Sequence, residues 1–154
     1  MRKLPEPNAL GQLLTGLLGK GVKVKAVPKH PLPAGQPVVL ARYATEDGQL
    51  VACVCDLRFA AMAGAALTMV PPGMAKEGIA AGKLSETLQE NFAEVLNIMA
   101  QLITSSGATR VVLQKTEYLK TPLPADVIAL LAGTRADFDV IIDAYGAGNV
   151  TLAG

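Results

Sequence analysis

Glu90, Glu94, Asn97 and Gln101 follow one another at steps of four, three and four residues. Wound into an α-helix, that spacing sets all four on one face and brings Glu94 and Asn97 to about 5–6 Å of each other. A carboxylate beside a primary amide is recognition chemistry. The first is a charged acceptor; the second donates and accepts hydrogen bonds without titrating. Asn also costs roughly 0.5 kcal/mol against Ala within a helix, and capping does not explain one at position 97. Ile98 lies beside this stripe and away from the centre of the apolar face, so it is expected to be exposed. An apolar side chain next to paired polar groups is what a docking surface offers.

The other residues with chemical potential read as structural. Cys53 and Cys55 sit in an apolar run, two apart and hence on one face of a strand. They are expected to be small buried hydrophobes in a reducing compartment. With one histidine and no second cysteine pair, a zinc site is not expected. His30 falls in a proline-rich stretch with no Cys, Asp or Glu close by in sequence, and reads as a surface residue. Neither GxGxxG nor a GxxxxGKS/T motif stands at a strand-to-helix turn, which argues against a phosphate cradle. The basic residues are scattered, the formal net charge is +1 and there is no Trp. Nucleic-acid binding therefore lacks its electrostatic footprint.

The elements that must hold the polar stripe follow from period and punctuation. Leu88, Phe92, Val95, Leu96, Met99, Leu102 and Ile103 form one apolar stripe opposite the polar one, predicting a long amphipathic helix over 85–106 that Gly107 ends. Asn8 is expected to cap a first helix whose leucines at 10, 13, 14, 17 and 18 share a face, with Gly19 closing it. Alternation predicts a strand at 22–26, and Asp47-Gly48 between apolar runs predicts a hairpin of 38–45 with 50–55. Asp56 should cap an Ala-rich helix that runs to Val70 and is stopped by Pro71. Residues 71–84 read as a flexible connection with at most one helical turn. Further strands are expected at 109–115, 138–144 and 150–152, and a short helix through Leu131, with Gly146-Ala147-Gly148-Asn149 as the turn before the last strand.

This order is not the strict βαβα alternation of a Rossmann domain. It predicts one α+β domain over residues 1–154, an antiparallel or mixed β-sheet with long helices packed on it. No internal repeat is readable, although a helix–strand pattern recurs loosely in both halves. At 51% hydrophobic and 18% charged residues the chain can build a core. Arg2 and Lys3 are followed at once by Pro5, Pro7 and Asn8, which excludes the apolar region of a signal peptide, and the apolar run from Phe59 is too short to span a bilayer. A cytoplasmic protein without membrane attachment is expected.

The segment from Glu90 to Met99 resembles the signature helix of the CheC/CheX/FliY response-regulator phosphatases: Asp or Ser, three residues, Glu, two residues, Asn, and a proline some two dozen residues on. Glu90 takes the first position, Glu94 and Asn97 the next two, and Pro122 stands two positions late for the proline. The hairpin ending in Cys-Asp-Leu before an Ala-rich helix is similar to a CheX-like domain as well. The resemblance implies a sheet flanked by long helices, one active centre as in CheX rather than two as in CheC, and hydrolysis of the aspartyl phosphate on a CheY-like response regulator. It implies that Glu94 pairs with the regulator's lysine and that Asn97 orients the attacking water, with Glu90, Ile98 and Gln101 on the binding surface. The Mg2+ would be supplied by the partner regulator, with no cofactor held by this chain. A homodimer is also implied, with residues 111–114 or 138–142 as the strand edge that a second copy extends. The alternative is a binding module of the same fold, docking a signalling partner without turnover.

Overall fold

The computed structural model describes residues 2–154. In chain order the elements are α1 (Pro7–Leu18), β1 (Val22–Val27), β2 (Pro37–Thr45), β3 (Leu50–Asp56), α2 (Leu57–Leu67), α3 (Pro72–Ala81), α4 (Glu86–Gly107), β4 (Val111–Lys120), α5 (Ala125–Leu131), β5 (Arg135–Ile142) and β6 (Gly146–Ala153). The strands form one six-stranded sheet in the order β1-β5-β6-β3-β2-β4, and every neighbouring pair is antiparallel. The expected α+β class is what folds.

The sheet alternates side chains between two cores of unequal size. Val39, Ala41 and Tyr43 of β2, with Phe138, Val140 and Ile142 of β5, face α1, α2 and α4 in the larger one. Val38 and Leu40, with Ala52 and Val54 of β3, face α5 in the smaller one, against Val127 and Leu131. α2 crosses the middle of the larger face because its small residues allow it to sit close. A Cβ at Gly64 would come within 2.8 Å of the Leu88 carbonyl oxygen, and one at Gly148 within 2.7 Å of the Phe59 backbone. Asp56 caps α2 as its sequence position predicts, accepting from the Phe59 amide at 2.9 Å, and it accepts from the Asn149 amide at 3.1 Å as well.

Several elements differ from their sequence signals. α3 is a full ten-residue helix where a flexible connection is expected. Its Pro72 stands in the first turn, where a missing N–H costs nothing, and its Gly82 adopts the left-handed C-cap at φ 70°. Asn8 lies inside the first turn of α1, and Glu6 occupies the N-cap. The Gly146–Gly148 segment belongs to β6 and not to the preceding turn, since Gly148 must admit the Phe59 backbone. Gly107 is the last residue of α4, and the left-handed position after it falls on Ala108, φ 60°.

The strand order also reveals a repeat that the sequence hides. Exchanging β1 with β4, β2 with β5 and β3 with β6 reads the sheet backwards and leaves it unchanged. Under that exchange α1, which leads into β1, takes the place of α4, which leads into β4. The two halves are thus related by an approximate two-fold axis between the central strands β3 and β6.

Candidate functional site

α4 owes its position to its apolar face. Leu88, Phe92, Val95, Leu96, Met99 and Ile103 are all buried, each contributing about 1.5–3 kcal/mol of transfer free energy. Ser85 caps the helix by accepting from the Leu88 amide at 3.3 Å. Polar contacts then fix its rotation. The buried Tyr43 hydroxyl donates to the Leu96 carbonyl at 2.6 Å, and the Asn91 amide donates to the Gly64 carbonyl at 2.9 Å and to Thr68 Oγ1 at 2.8 Å. Phe92 meets Phe59 edge to face, with ring centroids 5.7 Å apart. A helix held on three sides in this way cannot roll.

Its fourth side is open. Glu90, Glu94, Asn97 and Gln101 are exposed along it. Asn97 and Gln101 form one lip of a groove of about 400 Å³ between α4 and β4, whose opposite lip is Arg110, Val112 and Leu113. Thr104 closes the end of that groove, its Oγ1 accepting from the Val111 amide at 3.0 Å. β4 is an edge strand, so one row of its backbone N–H and C=O groups has no neighbouring strand. Its pairing with β2 shifts between Arg42 and Tyr43, leaving Gln114 as the bulged residue of β4, just beyond the groove. Bulges at sheet edges turn the strand and re-aim its side chains.

Ile98 departs from expectation. It is half-buried on the α2 side of the stripe, and the exposed apolar residue beside Asn97 is Val112 across the groove, 41% exposed. Nothing in a single sequence pairs a helix at 97 with a strand at 112. The expected strand edge is corrected in part as well: β4, which holds residues 111–114, is an edge, whereas β5 lies inside the sheet between β1 and β6. The second free edge is β1.

His30 is the other correction. Far from lying free on the surface, its ring is packed over β5 and β6 with its side chain 12% exposed. Nε2 stands 3.2 Å from Asp139 Oδ1, and Nδ1 stands 3.3 Å from both Thr151 Oγ1 and Asp137 Oδ2. Arg135 donates to both Asp137 oxygens, at 2.9 and 2.7 Å, and the His30 amide and the Thr151 hydroxyl add two more hydrogen bonds at 2.9 Å. Burial pushes the Asp137 carboxyl up, but these donors outweigh it and hold the group below the ordinary carboxylate range. The cluster pins residues 28–36 to the face of the sheet opposite α4. Its buried carboxylate, Asp137, is saturated by its own neighbours, so the cluster serves as a fastening.

Cys53 and Cys55 are fully buried with their sulfurs 3.5 Å apart and both thiols free. Burial pushes the Cys55 thiol well up. Among the described residues no group of three His, Cys, Asp or Glu side chains converges as metal ligands would, and no helix is long and apolar enough to cross a membrane.

No protein-family model matches the sequence, and no curated protein does either. Solved structures do. The FliM middle domain from H. pylori superposes with a TM-score of 0.66 at 9% identity, over 96% of this chain and 83% of that one. Thermotoga maritima FliY gives 0.60 at 12% identity, over 99% and 85%. CheX in the CheX–CheY–BeF3–Mg2+ complex from Borrelia burgdorferi gives 0.53 at 14% identity, over 95% and 92%. At such identities the likeness is one of fold, and it runs over nearly the whole chain; what this protein has is the CheC/CheX/FliY fold, shared with FliM middle domains.

Proposed function

We propose that this protein acts in chemotaxis or motility signalling and hydrolyses the aspartyl phosphate of a CheY-like response regulator. The observation that carries the reading is the exposure of Glu94 and Asn97, one turn apart, on the open face of a helix whose other sides are locked. The fold it shares with a CheX whose solved complex holds CheY, BeF3 and Mg2+ supports the same reading. Glu94 pairs with the regulator's lysine and draws the two proteins into register. The Asn97 amide holds a water in line with phosphorus. The water oxygen forms the new O–P bond as the bond to the aspartyl oxygen breaks, leaving a free aspartate, inorganic phosphate and the proton of the water. A loose phosphoryl-transfer transition state asks for this kind of positioning and charge management more than for a new nucleophile. The metal in the reaction is the regulator's Mg2+. A cytoplasmic location follows from such a partner.

The test is to phosphorylate regulators from the source organism and follow their loss of phosphate with the wild type, Asn97→Ala and Glu94→Ala. Asn97→Ala should slow turnover on the order of 10²-fold, the scale of a misplaced reactant, with Glu94→Ala weakening association. If no regulator loses phosphate faster in the presence of the wild type, the catalytic reading fails.

The second reading is a docking module without turnover. It is favoured by the appearance of H. pylori FliM, whose fold this chain shares, in solved complexes with FliG and with SpeE. Retained capture of a phosphorylated regulator, with no acceleration of its decay, selects it. A homodimer belongs to either reading, formed by a second copy extending the sheet at the free β4 edge. Sedimentation at micromolar concentration should then give the mass of two chains; a monomer removes the homodimer.

A further inference from the structure

The smaller core is not full. On the face of the sheet opposite α4, a cavity of about 330 Å³ opens between α5, the turn that follows β4 and the segment that precedes β2. Leu123 and Leu131 form its inner wall, and Leu32 meets them from the preceding segment; all three pack in the smaller core. Pro122, Ile128 and Ala132, each exposed, form its rim. A cavity of this size with aliphatic walls stands at the small end of the range in which ligand sites are found.

Those walls are tied in place without a ligand. Residues 28–36 are fastened at both ends, with Leu32 between the fastenings. The His30 amide donates to Asp137 at 2.9 Å. The Gly35 amide donates to the Thr121 carbonyl at 2.9 Å, and the Thr121 amide donates to the Gln36 carbonyl at 3.0 Å. The Thr121 hydroxyl accepts from the Gln36 amide at 2.9 Å and donates to the Pro33 carbonyl, so this polar group of the lining is already committed. A preformed cavity requires little ordering when a ligand enters.

Arg135 is the one charged residue of the lining, and part of its hydrogen-bonding capacity is idle. Its Nε and Nη2 donate to the two oxygens of Asp137, at 2.9 and 2.7 Å. That occupies one edge of the planar guanidinium and two of its five N–H donors. The other edge, Nη1 with the second hydrogen of Nη2, meets no acceptor among the described residues. The side chain is largely buried, a setting in which a donor without an acceptor is unfavourable. Two parallel N–H groups on a planar fork match a carboxylate. Asp137 does not cancel that attraction, because the His30 amide and the Thr151 hydroxyl share its charge.

We infer that this cavity is a binding site for a small apolar carboxylate. Its tail completes the smaller core against Leu32, Leu123 and Leu131, and its head takes the open edge of Arg135. An apolar amine would bring a second cation to the guanidinium, and a hydrocarbon would leave the idle donors idle. The site lies across the sheet from Asn97 and stands independently of the phosphatase reading.

Octanoate and phenylacetate, a chain and a ring with the same head, are the probes, and octylamine is the control of reversed charge. Each is titrated into the isotope-labelled full chain and followed by NMR. At least one carboxylate should bind saturably, one molecule per chain, shifting the amide resonances of α5 and Leu123 while those of α4 stay in place. Octylamine should not bind. Ala132→Phe, at an exposed rim position, places a ring in the cavity and should abolish binding with the fold intact. Arg135→Gln should weaken binding roughly tenfold or more, the scale of a hydrogen bond to a charged group. That variant also removes the counter-charge of Asp137, so if melting shows it unfolded, Ala132→Phe decides. Failure of both carboxylates to bind saturably at millimolar concentration overturns the site, as does equal binding of octylamine or undiminished binding by Ala132→Phe.

Discussion

Asp137 gathers four hydrogen bonds on a carboxylate whose side chain is 3% exposed, so it is where single-residue electrostatics bears on stability. Its folded pKa lies below the value of about 3.9 that an unfolded Asp has. Between those two values the unfolded chain binds the proton and the folded one does not, so stability rises with pH there. The contribution is complete above about pH 5 and is lost as pH falls through the folded value. Asp137→Asn keeps the shape but leaves Arg135, itself 11% exposed, without its counter-charge. It should cost about 2–4 kcal/mol at pH 7 and flatten the acid limb of a urea-denaturation series between pH 3 and 7. An acid limb as steep as that of the wild type would place the effect elsewhere. Asn97→Ala should behave oppositely, neutral or stabilising by a few tenths of a kcal/mol, which separates its role from folding. The two residues differ equally in legibility. Asn97 can be read from helical spacing alone, because its neighbours are three and four positions away. The His30–Asp137 contact spans 107 positions, and no local pattern announces it.

At the scale of elements, α4 is useful because it is rigid, and α2 makes it so. Gly64 lets the two helices approach until a Cβ there would sit 2.8 Å from the Leu88 carbonyl oxygen, a backbone atom that cannot swing aside. Gly64→Ala should therefore cost about 1–3 kcal/mol through overpacking, outweighing the roughly 1 kcal/mol that Ala gains over Gly in a helix. Equilibrium denaturation measures the balance, and a stabilised variant would mean that the helices part more easily than their packing indicates. Period and punctuation make α1, α2, α4 and the β2–β3 hairpin legible in the sequence, since each carries its own signal. α3 is not, because Pro72, Gly78 and Gly82 read as breakers although the first and last stand at helix ends, where they help. Strand neighbours are illegible for a further reason. That β4 is an edge and β5 is not depends on pairings between distant segments, and those decide which residues border Asn97.

The whole molecule is organised by its two-fold arrangement, which puts a helix-bounded groove at each end of one sheet, α1–β1 and α4–β4. If that symmetry is physical, the threonine latches of the two edge strands must be worth the same. Thr15→Val and Thr104→Val each remove the hydroxyl that receives the first amide of an edge strand, at 3.1 and 3.0 Å, and replace it with a methyl of similar size. Each loses the hydrogen bond accepted from that amide, about 1 kcal/mol, Thr15 losing also the long one it donates to the Val22 carbonyl at 3.4 Å, and each should do so at its own end only. Hydrogen exchange resolves the two ends. Thr15→Val should speed exchange of the Val22 amide roughly fivefold, from the same 1 kcal/mol, and leave Val111 at its wild-type rate; Thr104→Val should do the reverse. The core between them, shared through β3 and β6, should exchange at unchanged rates in both variants as long as opening stays local. Acceleration of both amides by either substitution would show that the two edges open together, and the halves would then be one cooperative unit and not two copies of a local design.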